Sequence, residues 1–344
     1  MSNDARTFQS QPDRGEDAPT GEQLPKEPQD IPKWAAGKPV ATAQDEPPVI
    51  PLSPTDVGKL LDGMVKAIRA NGGVMFTIPF IIMTVIGVAA GVFAVYAGGT
   101  VETHLDGTGA AFRVEDSSSW AAELEFFMTA LPGLSSVVVA GVLVQTVANA
   151  VIGRKVTLGQ ALHLLKGRIW RVIVTSVLTG IIVFGSAWLL IYVSDIVEPL
   201  LPDAFILTIL FLLYYLAGFI VILRLSIRLY FATMVAALEK ASPFVALKRS
   251  WQLASGAFWR IFGRVLVLFT IMGVATGILS GITGQIGQAS SGAVGSFTSV
   301  FLLCLTAATM MPFSAAYDSL MYLDERMRRD DYGPVLENAW EVGR

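Results

Sequence analysis

Six apolar stretches dominate the chain, at about 74–97, 127–152, 171–194, 204–227, 265–285 and 296–322. A run of about 20 apolar residues crosses a bilayer as a helix and satisfies its own backbone hydrogen bonds there. The fourth stretch holds the least interrupted run, residues 204–225. Between these stretches the pattern changes to a helical period with one apolar face. In 53–73, Val57, Leu60, Leu61, Met64, Val65 and Ile68 recur at helical spacing, with Lys59, Asp62, Lys66 and Arg69 between them. In 157–170, Leu158, Ala161, Leu162, Leu165 and Ile169 share a face. In 242–263, Val245, Trp251, Leu253, Phe258 and Phe262 are among the apolar positions. Ser53, Thr157 and Ser242 suit the N-cap, and Pro54 and Pro243 suit the first helical position. The pattern predicts an all-α integral membrane protein. Its six transmembrane helices form three hairpins, each preceded by a cytoplasmic amphipathic helix, in a threefold repeat.

The basic residues set the orientation. Lys59, Lys66 and Arg69 precede the first stretch. Arg154, Lys155, Lys166, Arg168 and Arg171 lie between the second and third. Arg228, Lys240, Lys248, Arg249, Arg260 and Arg264 lie between the fourth and fifth, and Arg326, Arg328 and Arg329 follow the sixth. The other three loops contain Arg113 and no further Lys or Arg. Positive charge collects on the cytoplasmic side, so both termini are expected there, in a multi-pass protein of the cytoplasmic membrane. The outer loops are then 98–126, 195–203 and 286–295, too short for a folded external domain.

Composition agrees with this outline. Of 344 residues 53% are hydrophobic and 15% charged, against about 25% charged in an ordinary soluble domain. Residues 1–48 are rich in Pro, Asp, Glu and Gln and are expected to be a disordered cytoplasmic tail, with Trp34 as its one anchor. Residues 49–329 form the membrane domain and 330–344 a short cytoplasmic tail. No early apolar segment resembles a signal peptide, so the first membrane helix is expected to direct its own insertion. Cys304 is the single cysteine, and an intramolecular disulfide is excluded.

Several segments resemble a known group: 51–73, 151–174, and most strongly 228–264, continuing in 312–333. They are similar to an actinobacterial membrane-protein family named after the membrane domain of glycerophosphoryl diester phosphodiesterase. The resemblance spans about residues 51–335, and the proline-rich leader is also similar. It implies six helices and a cytoplasmic-membrane location, without phosphodiesterase activity. In that family's larger proteins a separate soluble barrel supplies the metal-binding catalyst. One departure is visible. Where relatives carry Pro-Gly late in the fourth span, this chain has Ala217-Gly218 and an unbroken apolar run.

Candidate chemistry is sparse. No P-loop, nucleophile elbow or HExxH pattern occurs. His104 and Asp106 have the spacing of two metal ligands, which is fewer than a closed site needs. His163 lies on the second amphipathic helix without a catalytic partner. The expectation is a protein that is not an enzyme and takes no cofactor. Lys248, Arg249, Trp251, Trp259, Arg260 and Arg264 are the candidates for binding anionic lipid headgroups or a protein partner. No nucleic acid is expected, and the oligomeric state stays open. Asp318, with Arg224 and Arg228 as possible ion-pair partners, is the candidate intramembrane polar group. Asp318 and the kink-permitting Pro79, Pro132 and Pro312 motivate a second reading, transport or lipid translocation. A membrane hydrolase is the least favoured. Gly87 and Gly91, and Gly273 and Gly277, have the spacing that permits close helix approach, expected within the bundle more than between copies.

Overall fold

The computed structural model describes residues 55–97, 100–106, 109–115, 121–165, 167–197, 205–288 and 292–342, without side chains over 100–134. The leader 1–48, Ser53 and Pro54 lie outside the described residues. The elements in chain order are α1 (Val57–Ala97), β1 (Thr100–Asp106), β2 (Gly109–Glu115), α2 (Ala121–Val151), α3 (Leu158–Leu165), α4 (Ile169–Val197), α5 (Phe205–Leu229), α6 (Ala232–Glu239), α7 (Pro243–Ala254), α8 (Phe258–Gln288), α9 (Gly292–Asp330) and α10 (Gly333–Val342).

Five helical segments are long and apolar enough to cross a membrane: Val57–Phe93, Ile169–Val197, Thr208–Glu239, Phe258–Gly287 and Gly292–Asp330. The chain is thus a multi-pass membrane protein by helix length and hydropathy. The second apolar stretch of the sequence is α2, whose apolar part Ser135–Val151 is shorter than these. Residues 141–152 of that region are all buried, so α2 is an inner helix.

The three amphipathic segments are present, with corrected ends. The first begins at Val57, where the Leu60 N–H donates to the Asp56 carbonyl at 3.0 Å. It runs into its span through a kink at Asn71 (φ −128°, ψ 30°), whose side-chain oxygen accepts from the Val156 N–H at 2.9 Å. The second is only α3, and the third only α7. Gly167 (φ 81°) and Gly256 (φ 75°) interrupt them, in a left-handed conformation that a side chain resists. Phe258, Trp259, Arg260, Phe262 and Arg264 therefore belong to the first turns of α8. The Gln160 side chain accepts from the Thr157 N–H at 3.1 Å, a capping-box contact. The Ser242 hydroxyl makes no cap bond, although Pro243 does take the first position of α7.

Three elements were not anticipated. Loop 98–126 contains an antiparallel ribbon, with Thr100 paired to Glu115 and Asp106 to Gly109, so the all-α expectation needs this correction. Alternating β-branched and polar residues in TVETHLD suit such a ribbon. Helix α6 places Ala232 and five of its following residues, Met234 to Leu238, inside the core. The C-terminal segment carries α10, which buries Val335, Leu336 and Ala339.

The main core lies at the end of the bundle where α1 and α8 start and α9 finishes. It joins Leu60, Ala67, Leu143, Val147, Phe231, Val235, Leu253, Ile261, Tyr317, Tyr322 and Leu336. Away from it, α4, α5 and α8 present Ile181, Phe184, Leu212, Phe219, Phe269 and Ile278 outward. Their backbones are satisfied within the helices, so such faces suit lipid.

Helices α1 and α9 pack together along their length, and both contain a proline, Pro79 and Pro312. A Cβ on Gly87 would stand 3.1 Å from Cys304 Cβ and 3.2 Å from the Phe301 ring. One on Gly91 would stand 2.6 Å from the Phe297 ring. That glycine pair is spent inside the fold, whereas Cβ atoms on Gly273 and Gly277 would meet nothing within 4 Å. Gly87→Leu should therefore destabilise the detergent-solubilised protein by about 1–3 kcal/mol, the usual cost of overpacking. Gly273→Leu should leave its thermal unfolding midpoint nearly unchanged, and equal losses in the two variants would refute this packing.

Candidate functional site

The basic residues of the sequence converge on the core end of the bundle, and the structure divides them into two sets. One set is neutralised inside the protein. Asp324 and Glu325, both 0% exposed, sit side by side near the end of α9. Arg264, on the second turn of α8, is 4% exposed. Its Nη1 donates to Asp324 Oδ2 at 2.6 Å and to Glu325 Oε1 at 3.3 Å, and its Nη2 to the Thr55 carbonyl at 2.8 Å. Arg260, one turn earlier, holds Glu325 with two parallel bonds of 2.8 and 2.6 Å. Arg328 donates to Asp324 Oδ2 at 2.8 Å and to the Thr55 carbonyl at 2.9 Å. Thr55 closes the cluster, its N–H donating to Asp324 Oδ1 at 2.6 Å and its hydroxyl at 3.1 Å. Carboxylates can be buried here because each oxygen receives a charge-assisted bond.

A second group adjoins it. The Tyr322 hydroxyl donates to Glu239 Oε1 at 2.6 Å. Arg326 approaches Glu239 at 3.6 Å and Asp330 at 3.3 Å, and stacks over Tyr332 with 3.7 Å to the ring centroid. Arg249 donates to Asp330 and lies 3.9 Å from Glu239. The group ties α6, α7 and α9 together beside α10.

The other set faces outward. Lys248 is exposed on α7, beside Phe244 and Val245. Trp251 is exposed, with the Arg228 guanidinium 4.6 Å above its ring. Trp259 is 79% exposed, and Arg224 lies 5.6 Å over the neighbouring Phe258 ring. Trp170, 72% exposed at the start of α4, belongs to the same rim, since α7 packs against both α4 and α5. Among the described residues, Lys248, Arg224 and Arg228 make no ion pair with a carboxylate. Thus Lys248, Trp251 and Trp259 lie where headgroups could meet them. Arg249, Arg260 and Arg264 are committed to carboxylates, because burial demands a counter-charge.

Asp318 is engaged differently from the ion pair considered for it. The Tyr230 hydroxyl donates to its Oδ1 at 2.7 Å, and neither Arg224 nor Arg228 pairs with it. Tyr230 is held at the α5–α6 break by Ser250 of α7. The Ser250 hydroxyl accepts from the Phe231 N–H at 3.1 Å and donates to the Arg228 carbonyl at 2.9 Å.

His104 stands opposite Ala111 in the ribbon, and its side chain and that of Asp106 lie outside the described set. His163 is exposed on α3. Among the described residues, no three His, Cys, Asp or Glu group closely enough to hold a metal.

Sequence reasoning missed the acidic half of this arrangement. The spacings Asp324-to-Arg328 and Arg326-to-Asp330 were visible helical ion pairs. Nothing local connects Arg264 with Asp324, or Thr55 with either.

A family model described as the membrane domain of glycerophosphoryl diester phosphodiesterase matches residues 196–320. That segment runs from the end of α4 into α9 and includes Tyr230, Glu239, Arg264 and Asp318, but stops before Asp324 and Glu325. No curated protein and no solved structure matches the chain.

Removing one partner of a buried pair leaves a charge without compensation, at a cost of about 3–5 kcal/mol. Arg264→Gln and Asp324→Asn should each lower stability by that order, and the double variant by less than the sum. Strict additivity in urea or thermal unfolding would show that the two side chains act independently.

Proposed function

We propose that this chain is a non-enzymatic protein of the cytoplasmic membrane that organises lipids or partner proteins at the cytoplasmic face. In this reading both termini are cytoplasmic, and α2 completes six spans arranged as three hairpins. The observation that carries it is the outward rim of Trp170, Phe244, Lys248, Trp251 and Trp259 with Arg224 and Arg228. Indole rings suit the headgroup zone, being apolar with one wet N–H. Each basic residue near an anionic leaflet adds on the order of 1 kcal/mol of attraction. The family match to a membrane domain supports a membrane-based role and names no activity for this chain.

The rim is tested without touching the buried pairs. Lys248→Gln combined with Trp251→Ala and Trp259→Ala should reduce co-purification of anionic lipid or of a protein partner at least several-fold. The protein should still insert and keep its unfolding midpoint. Undiminished association in this variant defeats the reading.

A second reading rests on the Asp318–Tyr230 contact. A carboxylate within a proline-containing span helix, bonded to a neutral hydroxyl, is a natural ion or proton site in a transport or lipid-translocation protein. It predicts protein-dependent flux of a lipid or solute in reconstituted vesicles, reduced at least tenfold by Asp318→Asn. Vesicles across a broad lipid panel that show no such flux count against it.

A further inference from the structure

The start of α4 holds two arginines that pair with no carboxylate among the described residues. Arg168 is 4% exposed, and its Nη1 donates to the Ala237 carbonyl at 3.0 Å. Arg171, half-buried one turn later, donates from Nη1 to the Lys240 carbonyl at 2.6 Å. Gln145, buried on α2, also donates to the Ala237 carbonyl. All three side chains thus converge on the C-terminal end of α6, where Lys240 adopts a left-handed conformation. From residue 126 to residue 194 the sequence contains no Asp or Glu, so neither α2 beyond Glu125, nor α3, nor the first seven turns of α4 can supply a local counter-ion. Glu239, the nearest acid in sequence to the carbonyls these arginines use, is taken by Tyr322, Arg326 and Arg249.

Magnitudes decide whether helix capping suffices. A helix C-terminus presents about half a negative charge. Two guanidinium groups bring two positive charges, which leaves about one and a half unneutralised. Burying a cation without a counter-charge costs several kcal/mol. Burial and the neighbouring Arg171 both push the Arg168 pKa down, the direction expected of a cation short of an anion. Each guanidinium has further N–H donors beyond the one its carbonyl uses, in a planar fork that fits a phosphate. Gln145 Oε1 is buried without a partner beside the same Ala237 carbonyl that Arg168 uses. The position also fits a lipid. Trp170 between the arginines is 72% exposed, and beyond it α4 turns Val177, Ile181 and Phe184 outward. The exposed indole marks the headgroup level at this turn, where the half-buried Arg171 adjoins it.

We propose that Arg171, backed by the buried Arg168, binds the phosphate of an anionic phospholipid in the leaflet at the basic end of the bundle. The site adjoins the rim at Trp170 but uses different cations, and it rests on and deepens the same lipid-organising reading.

The test uses the full chain in phosphatidylcholine nanodiscs doped with phosphatidylglycerol or phosphatidic acid, followed by native mass spectrometry of retained lipid. Wild-type protein should retain anionic lipid at least fivefold over phosphatidylcholine, and added inorganic phosphate should not displace it. Arg171→Gln should reduce that enrichment at least threefold, and Arg171→Glu should abolish it. Arg168→Lys, which keeps the charge should Arg168→Gln fail to fold, should retain more lipid than either Arg171 variant. Lys59→Gln, at an exposed cation of α1, should leave the enrichment intact. No enrichment by the wild type overturns the proposal, as does full enrichment in folded Arg171→Glu or displacement by free phosphate. Loss in Lys248→Gln with retention in the Arg171 variants places the lipid on the rim. The site then falls while the lipid-organising function stands.

Discussion

Two adjacent carboxylates inside a protein that also spans a membrane impose the strongest constraint on this molecule. Asp324 and Glu325 are removed from water, and without partners their charge would be prohibitive. Arg264, Arg260, Arg328 and the Thr55 backbone meet that demand. The partners come from the start of α1, the start of α8 and the end of α9, so these helix ends must lie at one level. The packed core forms behind them. Side chains such as Leu60, Ile261 and Leu320 are buried there because the ionic cluster holds their helices in contact.

That constraint makes the basic end electrostatically uneven. On the α8–α9 side, arginines are matched by Glu239, Asp324, Glu325 and Asp330. On the side of α4 and α5, the described arginines rest on backbone carbonyls and aromatic faces. A carbonyl or a ring quadrupole attracts a cation but does not cancel its charge. Arginines without a carboxylate partner among the described residues and exposed tryptophan therefore coincide on one flank. This is where an anionic leaflet would be felt most strongly.

Helix breaks arrange that flank. Gly167 and Gly256 each separate a short helix from the span that follows, and Asn71 kinks the first amphipathic segment into its span. Each of the three breaks lies between an amphipathic segment and a long apolar helix. The solutions differ in kind. A left-handed glycine ends a helix outright, whereas Asn71 lets the helix continue while its side chain takes the Val156 N–H. Helix α6, inserted after the α5 break, has no counterpart named in the pattern. It supplies the carbonyls that receive Gln145, Arg168 and Arg171.

The sequence by itself determined the membrane class, the long apolar helices, the short amphipathic helices before three of them and the concentration of basic residues around those helices. These are properties of local composition and period, which any window of about 20 residues displays. The ribbon at 100–115 was signalled by Asp106-Gly107 but lay hidden by the expectation of a simple loop. Only the tertiary structure decided which cations are spent and which are available. Arg264 and Lys248 read alike along the chain, yet one meets Asp324 across 60 residues and the other faces outward. The same holds for Asp318, whose partner proved to be Tyr230 rather than an arginine. Charge pairing between distant helix ends is set by their packing in space, and no local spacing encodes it.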